Sequence, residues 1–487
     1  MSRYGDTVGR GIVRLWSRVG PEFLPFADAA SIDLPLGRLL RLSLFQVSVG
    51  MATVLLIGTL NRVLIVELGV SAWLVSLMVG LPLVFAPFRT LIGFRSDNHR
   101  SALGWRRVPY IWMGTMLQFG GLAIMPFALI LLSGDNRGPA WLGAAGAAFA
   151  FLLTGAGLQT TQTAGLALAT DLARAESRPR VVALMYVMLL VGMVGAGLGF
   201  GQLLAHFSEL RLIQVVQAAA LLTFVLNGVA LWKQEARDPR RTAMPRAVPA
   251  FRETWRDFLR RDRAPRFLAT VALGTAAFNM QDIVLEPYGG EVLHLTVGAT
   301  TALTAMLAGG MLCAFAVAAR RLGAGVDPCR LAAYGVVVGL FAFSAVVLAA
   351  PMESALLFRI GSATIGFGSG LFAVGTLADA MARERDGDAG LALGAWGAAQ
   401  ATAAGIAIFL GGALRDGAGA LAMRGVFGPA LIDPATGYGA VYAVEIVLLF
   451  VALAAIGPLV GVAGRGVHTP SHARRAAAHI GLAECPR

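Results

Sequence analysis

The feature that most constrains the fold is a basic segment in the middle of an otherwise apolar chain. Residues 233–266 carry eleven Lys or Arg against five Asp or Glu, and six apolar stretches lie on either side of them. Each stretch has about 20 residues or more, enough for a helix to cross a hydrocarbon core about 30 Å thick. The pattern predicts an all-α polytopic membrane protein.

The composition agrees with this class. Only 14% of the 487 residues are charged, whereas a soluble domain carries about 25%. The net charge of +12 could indicate nucleic acid. However, the arginines cluster in alternate loops, as membrane topology requires, so we expect membrane lipid around the chain and no nucleic-acid partner.

The apolar stretches divide the chain into two membrane halves. The predicted spans are 42–66, 72–93, 108–132, 140–165, 180–205, 211–232, 267–287, 297–319, 330–350, 355–378, 389–413 and 438–463. We expect an N-terminal arm over 1–41, a six-helix bundle over 42–232, a central loop over 233–266, a second six-helix bundle over 267–463 and a tail over 464–487. The arm could lie on the membrane surface or form a disordered tail.

The distribution of basic residues predicts the orientation. With the N-terminus inside, 34 of the 40 Lys and Arg fall on the inner side. Positive loops are retained in the cytoplasm. We therefore expect a membrane protein with both termini in the cytoplasm.

The two halves resemble each other weakly in sequence. Leu68–Ala72 opens span two much as Leu295–Ala299 opens span eight, and the glycine-rich spans four and ten lead to Asp171 and Asp379. The matches occur in the same order. Two related six-helix halves around a basic cytoplasmic loop predict the major facilitator architecture.

The loop between spans two and three holds a candidate latch. Its glycines, acidic residue and basic residues are Gly93, Arg95, Asp97, Gly104, Arg106 and Arg107. An aspartate near a helix N-terminus that pairs with arginine could hold one state of an inward gate. The alternative is a solvated, positive-inside loop.

Spans one and seven carry the polar side chains of a candidate central cluster. These are Asn61, Arg62, Asn279, Gln281, Asp282 and Glu286. Charged groups inside a membrane are costly unless they are paired or hydrated. We expect Asp282 and Glu286 to share one helix face and to pair with Arg62. The cluster could couple protons or bind a ligand, or it could be a structural ion network.

Span four carries a run of five polar residues that includes Gln159 and Gln162. These side chains could pack helices together, which is the favoured interpretation, or contact a ligand. Span five is rich in glycine, which favours a close helix contact. No histidine lies in the middle of a span, the three cysteines lack metal-ligand spacing, and we find no catalytic motif. We therefore expect no enzyme activity and no metal held by these residues.

Several stretches together resemble one known family. They include QDIVLEPYGGEVL over 281–293 and RSDNHRSALGWRRVPY over 95–110. Others lie at 42–70, 159–173, 368–381 and 392–405. On these residues the chain resembles the PucC/LhaA family, the bacteriochlorophyll delivery branch of the major facilitators in phototrophic bacteria.

The resemblance implies an assembly factor for light-harvesting complexes that transiently binds or delivers bacteriochlorophyll, whose magnesium would be the only metal. The polar residues named above in spans one, four and seven are then candidate pigment-binding residues in the bacterial inner membrane. The implied partners are antenna polypeptides and also chlorophyll synthase or the reaction-centre core, in the intracytoplasmic photosynthetic membrane. The alternatives are a proton-coupled secondary transporter of a small solute or tetrapyrrole precursor, and a static scaffold in the photosynthetic unit.

Overall fold

Over its described residues the structure consists of long apolar helices. The computed structural model describes residues 34–84, 105, 107–132, 140–174, 177–235, 263–382 and 389–460. The helices are α1 (Leu36–Glu67), α2 (Ala72–Val84), α3 (Val108–Leu132), α4 (Ala140–Leu172), α5 (Arg178–Leu203), α6 (Glu209–Leu231), α7 (Ala264–Glu291), α8 (Val297–Gly323), α9 (Pro328–Ala349), α10 (Ala355–Ala382), α11 (Ala389–Met423) and α12 (Ala435–Leu459). Eleven of the helices described are long and apolar enough to cross a membrane, and α2 reaches the edge of a described range.

Each predicted span coincides with one of these helices, so the all-α polytopic fold is confirmed. Where both ends are described, the largest differences are at the ends of α4 and α11, which run to Leu172 and Met423 instead of 165 and 413. The end predicted for span two at 93 lies outside the described residues. The extra turns of α4 and α11 carry charged residues such as Asp171 and Asp416. A hydropathy pattern ends where charges begin, whereas a helix can continue beyond the hydrocarbon core.

The packing of helices repeats between the halves. In the first half α1 contacts α5 and α6, and α3 contacts α4 and α6. In the second half α7 contacts α11 and α12, and α9 contacts α10 and α12. Adding six to both helix numbers of a pair in the first half gives the corresponding pair in the second half. This is the two-fold repeat of a facilitator-type fold.

The halves meet along two seams, α2 against α11 and α5 against α8. Glycines permit the close approach, as predicted for span five. A Cβ on Gly197 would lie 2.8 Å from Ala305 Cβ, and one on Gly80 would lie 3.0 Å from the Gly405 carbonyl oxygen. Small residues are the usual means by which membrane helices pack backbone against backbone.

Two helices at the centre are irregular. In α1, π-helical turns at Val54–Thr59 and Val63–Glu67 flank a short α-helical piece at Leu60–Arg62. In α7, a 3-10 turn at Met280–Ile283 separates two α-helical pieces. Such irregular turns are frequent at functional sites. The two irregular regions contact each other, and they hold the predicted polar cluster.

Candidate functional site

The candidate latch can be located only in part. Gly93, Arg95, Asp97, Gly104 and Arg106 lie outside the described residues. Arg107 is buried, and its Nε donates a hydrogen bond of 2.9 Å to Asp171 Oδ2 at the end of α4. The proposed role of Asp97 therefore stays a prediction, while Arg107 joins the start of α3 to the end of α4.

Glu235 adds a contact at the same place that the sequence did not suggest. Its carboxylate accepts hydrogen bonds from the main-chain N–H groups of Arg107 (3.1 Å) and Val108 (3.0 Å), where α3 begins. The first N–H groups of a helix lack partners within the helix, and a negative charge near them is stabilising. The segment that follows α6 thus caps α3.

The break in α7 follows from its sequence. Pro287 has no N–H, and it lies four residues after Ile283, so the Ile283 carbonyl cannot form the regular helical hydrogen bond. Instead, Asn61 Nδ2 from α1 donates to the Ile283 carbonyl over 2.9 Å. Asn61 also lies 3.4 Å from the Asp282 carbonyl. A side chain of the first half therefore supplies the hydrogen-bond donor that a main-chain carbonyl of the second half lacks.

Glu286 lies beyond the break at the contact of α7 with α1 and α8. It is 2% exposed, and its Oε1 accepts a hydrogen bond of 2.5 Å from the Thr304 hydroxyl. Its Oε2 has no partner among the residues that the structure describes. Gly58 of α1 lies against this carboxylate, because a Cβ there would overlap Oε1.

The prediction that Arg62 pairs with Asp282 and Glu286 is met only in part: Arg62 interacts electrostatically with Glu286, but within the described residues it forms an ion pair with neither carboxylate. The guanidinium forms its ion pair with Glu67 and also donates to the Leu295 carbonyl over 3.2 Å. Glu67 is five residues after Arg62, and a π-helical turn brings residues with this spacing together. Arg62 nevertheless lies at the junction, since a Cβ on Gly290 of α7 would be 2.9 Å from its Nε.

The expectation that Asp282 and Glu286 share one helix face is wrong. The 3-10 turn that contains Asp282 ends before the helical piece that contains Glu286 begins. The Asp282 carboxylate accepts a hydrogen bond from the side chain of Gln281, whereas Glu286 reaches Thr304 in α8. The two carboxylates thus have different neighbours.

Asn279, at the end of the first piece of α7, is half-buried like Asp282. Its Nδ2 donates to the Thr275 carbonyl over 2.8 Å, so its carbonyl oxygen remains an acceptor. Gln281 is 1% exposed, and its main-chain N–H donates to Glu445 of α12. The structure therefore brings Asn61, Gln281 and Asp282 to one break, with Asn279 directly before it.

Gln159 and Gln162 lie on α4, half-buried, in a helix that packs against α1, α2, α3 and α5. The neighbouring hydroxyl of Thr163 bonds back to the Gln159 carbonyl over 2.7 Å. A Cβ on Gly114 of α3 would lie 2.7 Å from the Thr161 main-chain nitrogen. These contacts support the packing role of the polar run, and they place both glutamines in the first half.

Besides Glu235, two further groups were missed by the sequence reasoning. One is Glu445, which is fully buried in α12 beside the break. The other joins α7, α11 and α12: Arg415 forms an ion pair with Glu291, and Tyr438 donates a hydrogen bond to the same carboxylate. A single acidic residue inside an apolar span is the signal that could have identified Glu445.

The comparisons with known proteins agree on the family and the fold. The profile of the family described as PUCC protein matches residues 59–464. Protein PucC of Rhodovulum sulfidophilum is 58% identical over 404 residues, covering 82% of this chain and 89% of the relative. A Rhodobacter capsulatus protein, described as an uncharacterized protein in the puhA-bchM intergenic region, is 54% identical over 97% of this chain and 99% of its own length.

Among solved structures, the chain is similar in fold to a bacterial homologue of the human lysosomal transporter Spinster in an inward-facing, unoccupied conformation. The TM-score is 0.65 at 15% identity, with 86% of this chain and 95% of that chain covered. Xylose transporters of the same architecture are also similar. These likenesses show the major facilitator fold. The family match and the identities to full-length relatives place this chain in the PUCC protein family.

Proposed function

We propose that this protein is a non-enzymatic assembly factor for bacterial light-harvesting complexes, which binds bacteriochlorophyll and antenna polypeptides during antenna biogenesis. The observation that most supports this is the position of the segment 281–293, on which the family resemblance rests. This segment forms the break in α7 where the two halves meet. The relatives named Protein PucC share the sequence over most of the chain.

The residues at the break are suited to a magnesium-containing pigment as cargo. Magnesium prefers oxygen ligands and is commonly held by one or two carboxylates. Asn279 and Asp282 are half-buried and each offers a side-chain oxygen, whereas Glu286 is fully enclosed by its neighbours. We therefore assign pigment contact to Asn279 and Asp282 and a positioning role to Glu286.

The proposed setting follows the same reasoning. The protein would act in the intracytoplasmic photosynthetic membrane with both termini in the cytoplasm. Its partners would be antenna polypeptides and also chlorophyll synthase or the reaction-centre core. The long apolar helices are consistent with partners that are themselves membrane helices.

Affinity purification from phototrophic cells in mild detergent tests the proposal. We expect bacteriochlorophyll absorbance and antenna polypeptides to co-elute with the wild-type chain. The double variant Asn279→Leu/Asp282→Asn should lose the pigment, while Glu209→Gln, which changes an exposed carboxylate, should retain it. A colourless wild-type protein without antenna polypeptides would contradict the proposal.

A second candidate function is proton-coupled transport of a small solute or tetrapyrrole precursor. The observation that favours it is the buried carboxylate of Glu286, which has an oxygen without a described partner at the junction of the halves. Uptake of such a solute into vesicles, abolished when the proton gradient is collapsed, would support this role. Antenna loss without any flux would reject it.

A further inference from the structure

A second polar site lies behind the junction, between α7 and α12. Glu445 is 0% exposed, and its Oε1 accepts a hydrogen bond of 2.5 Å from the main-chain N–H of Gln281. Its Oε2 has no partner among the described residues. The side-chain oxygen of Gln281 and the Tyr442 hydroxyl are equally enclosed and likewise lack partners there.

Within the part of the chain that the structure describes, no positively charged group is recorded as interacting with Glu445. From α7 it is faced by Asp282, whose carboxylate is close enough to interact with it electrostatically. On α12 itself, Tyr442 is one turn away, and the ring of Tyr442 packs against Tyr288 of α7 and Phe343 of α9. The basic residue nearest to this side in α11, Arg415, is already engaged with Glu291 and Asp416.

An ionised carboxylate in such surroundings is unfavourable. Transfer of a charge into a low-dielectric interior costs far more than transfer of the neutral group unless the charge is paired. The one N–H donor from Gln281 satisfies one oxygen only. A second negative group close by makes ionisation of both carboxylates still less favourable.

We propose that Glu445 is a proton-binding site. A hydronium ion supplies the proton: its O–H bond breaks, a water molecule is released, and an O–H bond forms at Oε2, so that the ionised carboxylate becomes the neutral carboxyl group. Glu445 is enclosed, so it takes no part in the proposed pigment contact, which is assigned to Asn279 and Asp282.

The composition of the site favours a proton over a metal ion. Only two carboxylates meet here, and no group of three or more His, Cys, Asp or Glu within the described ranges is placed to hold a metal. Hard cations such as Ca²⁺ need six or more oxygen ligands. A proton needs one carboxylate oxygen.

Proton binding at Glu445 would affect the break in α7. The Gln281 N–H lies in the 3-10 turn, and an ionised carboxylate is a stronger acceptor for it than a neutral one. Asn61 donates a hydrogen bond to the Ile283 carbonyl at the end of the same turn. The protonation state of Glu445 thus acts on the backbone that joins the two halves.

Infrared spectroscopy of the purified full-length protein in detergent tests the proposal. We expect the wild type to show a protonated-carboxyl C=O band that shifts in D2O and that persists when sodium chloride is replaced by choline chloride. Glu445→Gln should lose one component of this band, and the exposed-site control Glu209→Gln should lose none. Glu445→Asp, which keeps the carboxyl group, should shift the component instead of removing it.

Two results would overturn the proposal. Identical protonated-carboxyl bands in the wild type and in both Glu445 variants would show that Glu445 is ionised. A band that appears only when sodium is withdrawn would make the site a sodium site. The measurement needs neither pigment nor antenna polypeptides. The proton-binding proposal can therefore fail while the proposed assembly function holds, and the assembly function can fail while the proton-binding proposal holds. If Glu445→Gln does not fold, the Glu445→Asp shift still decides the matter.

Discussion

The side-chain amide of Asn61 and the main-chain carbonyl of Ile283 form a hydrogen bond of 2.9 Å between the two halves of the protein. The bond exists because Pro287 deprives this carbonyl of its helical partner. The structure therefore links one proline in α7 to one asparagine in α1. The relationship can be tested by changing either residue or both.

The variant Asn61→Ala should destabilise the protein by about 1–3 kcal/mol, because it leaves a buried carbonyl without a donor. In a Pro287→Ala background the cost should fall, since the introduced alanine restores an N–H that can bond to the Ile283 carbonyl. Apparent melting temperatures of the four proteins in one detergent form a double-mutant cycle. Strictly additive effects would show that the proline and the asparagine act independently.

The variant Gly58→Ala should also be destabilising, by about 1–3 kcal/mol, because the new methyl group overlaps the Glu286 carboxylate in a packed region. The matched control is Gly199→Ala in α5, where a Cβ meets nothing within 4 Å. That change should be neutral or slightly stabilising, since alanine favours a helix. Equal melting temperatures of the two variants would contradict the packing described here.

The contact of Glu235 with the start of α3 predicts a local effect. Glu235→Ala should cost about 0.5–2 kcal/mol, as expected for loss of a helix cap. Amide hydrogen exchange should become faster at Tyr110 and Ile111, whose N–H groups bond to the Arg107 carbonyl, and should stay unchanged in α9. Uniform faster exchange throughout the protein would instead indicate a global loss of stability.

The sequence was sufficient for the membrane class, the number and order of spans, and the residues that gather at the junction. Hydropathy predicts spans because each must cover the same hydrocarbon thickness. Polar residues in those spans are costly, so Asn61, Asp282 and Glu286 could be recognised as a group. The same argument would have identified Glu445, which was overlooked among the apolar residues of span twelve.

The partners of these residues could not be predicted, because they depend on irregular helical turns. The assumption of a regular helix placed Asp282 and Glu286 on one face, and the 3-10 turn before Pro287 separates them. It also missed the pairing of Arg62 with Glu67, which a π-helical turn permits. Sequence periodicity assumes regular α-helical geometry, whereas the local backbone conformation determines which side chains come into contact.

The contact between Asp416 and Trp73 predicts how the halves respond to one lost charge. Asp416 Oδ2 accepts a hydrogen bond of 2.8 Å from the Trp73 main-chain N–H, so α11 caps the start of α2 across the seam. Asp416→Asn should weaken this cap by about 0.3–1 kcal/mol and should shift the population toward separation of the two helices at this end.

Spin labels at Ser71→Cys and Gly417→Cys, both exposed positions, should report a longer-distance fraction that grows in the variant. Glu209→Gln, which also changes a carboxylate near a helix start but lies away from the seam, should leave the distance distribution unchanged. An unaltered distribution in Asp416→Asn would mean that packing of the seam glycines alone holds these helices together.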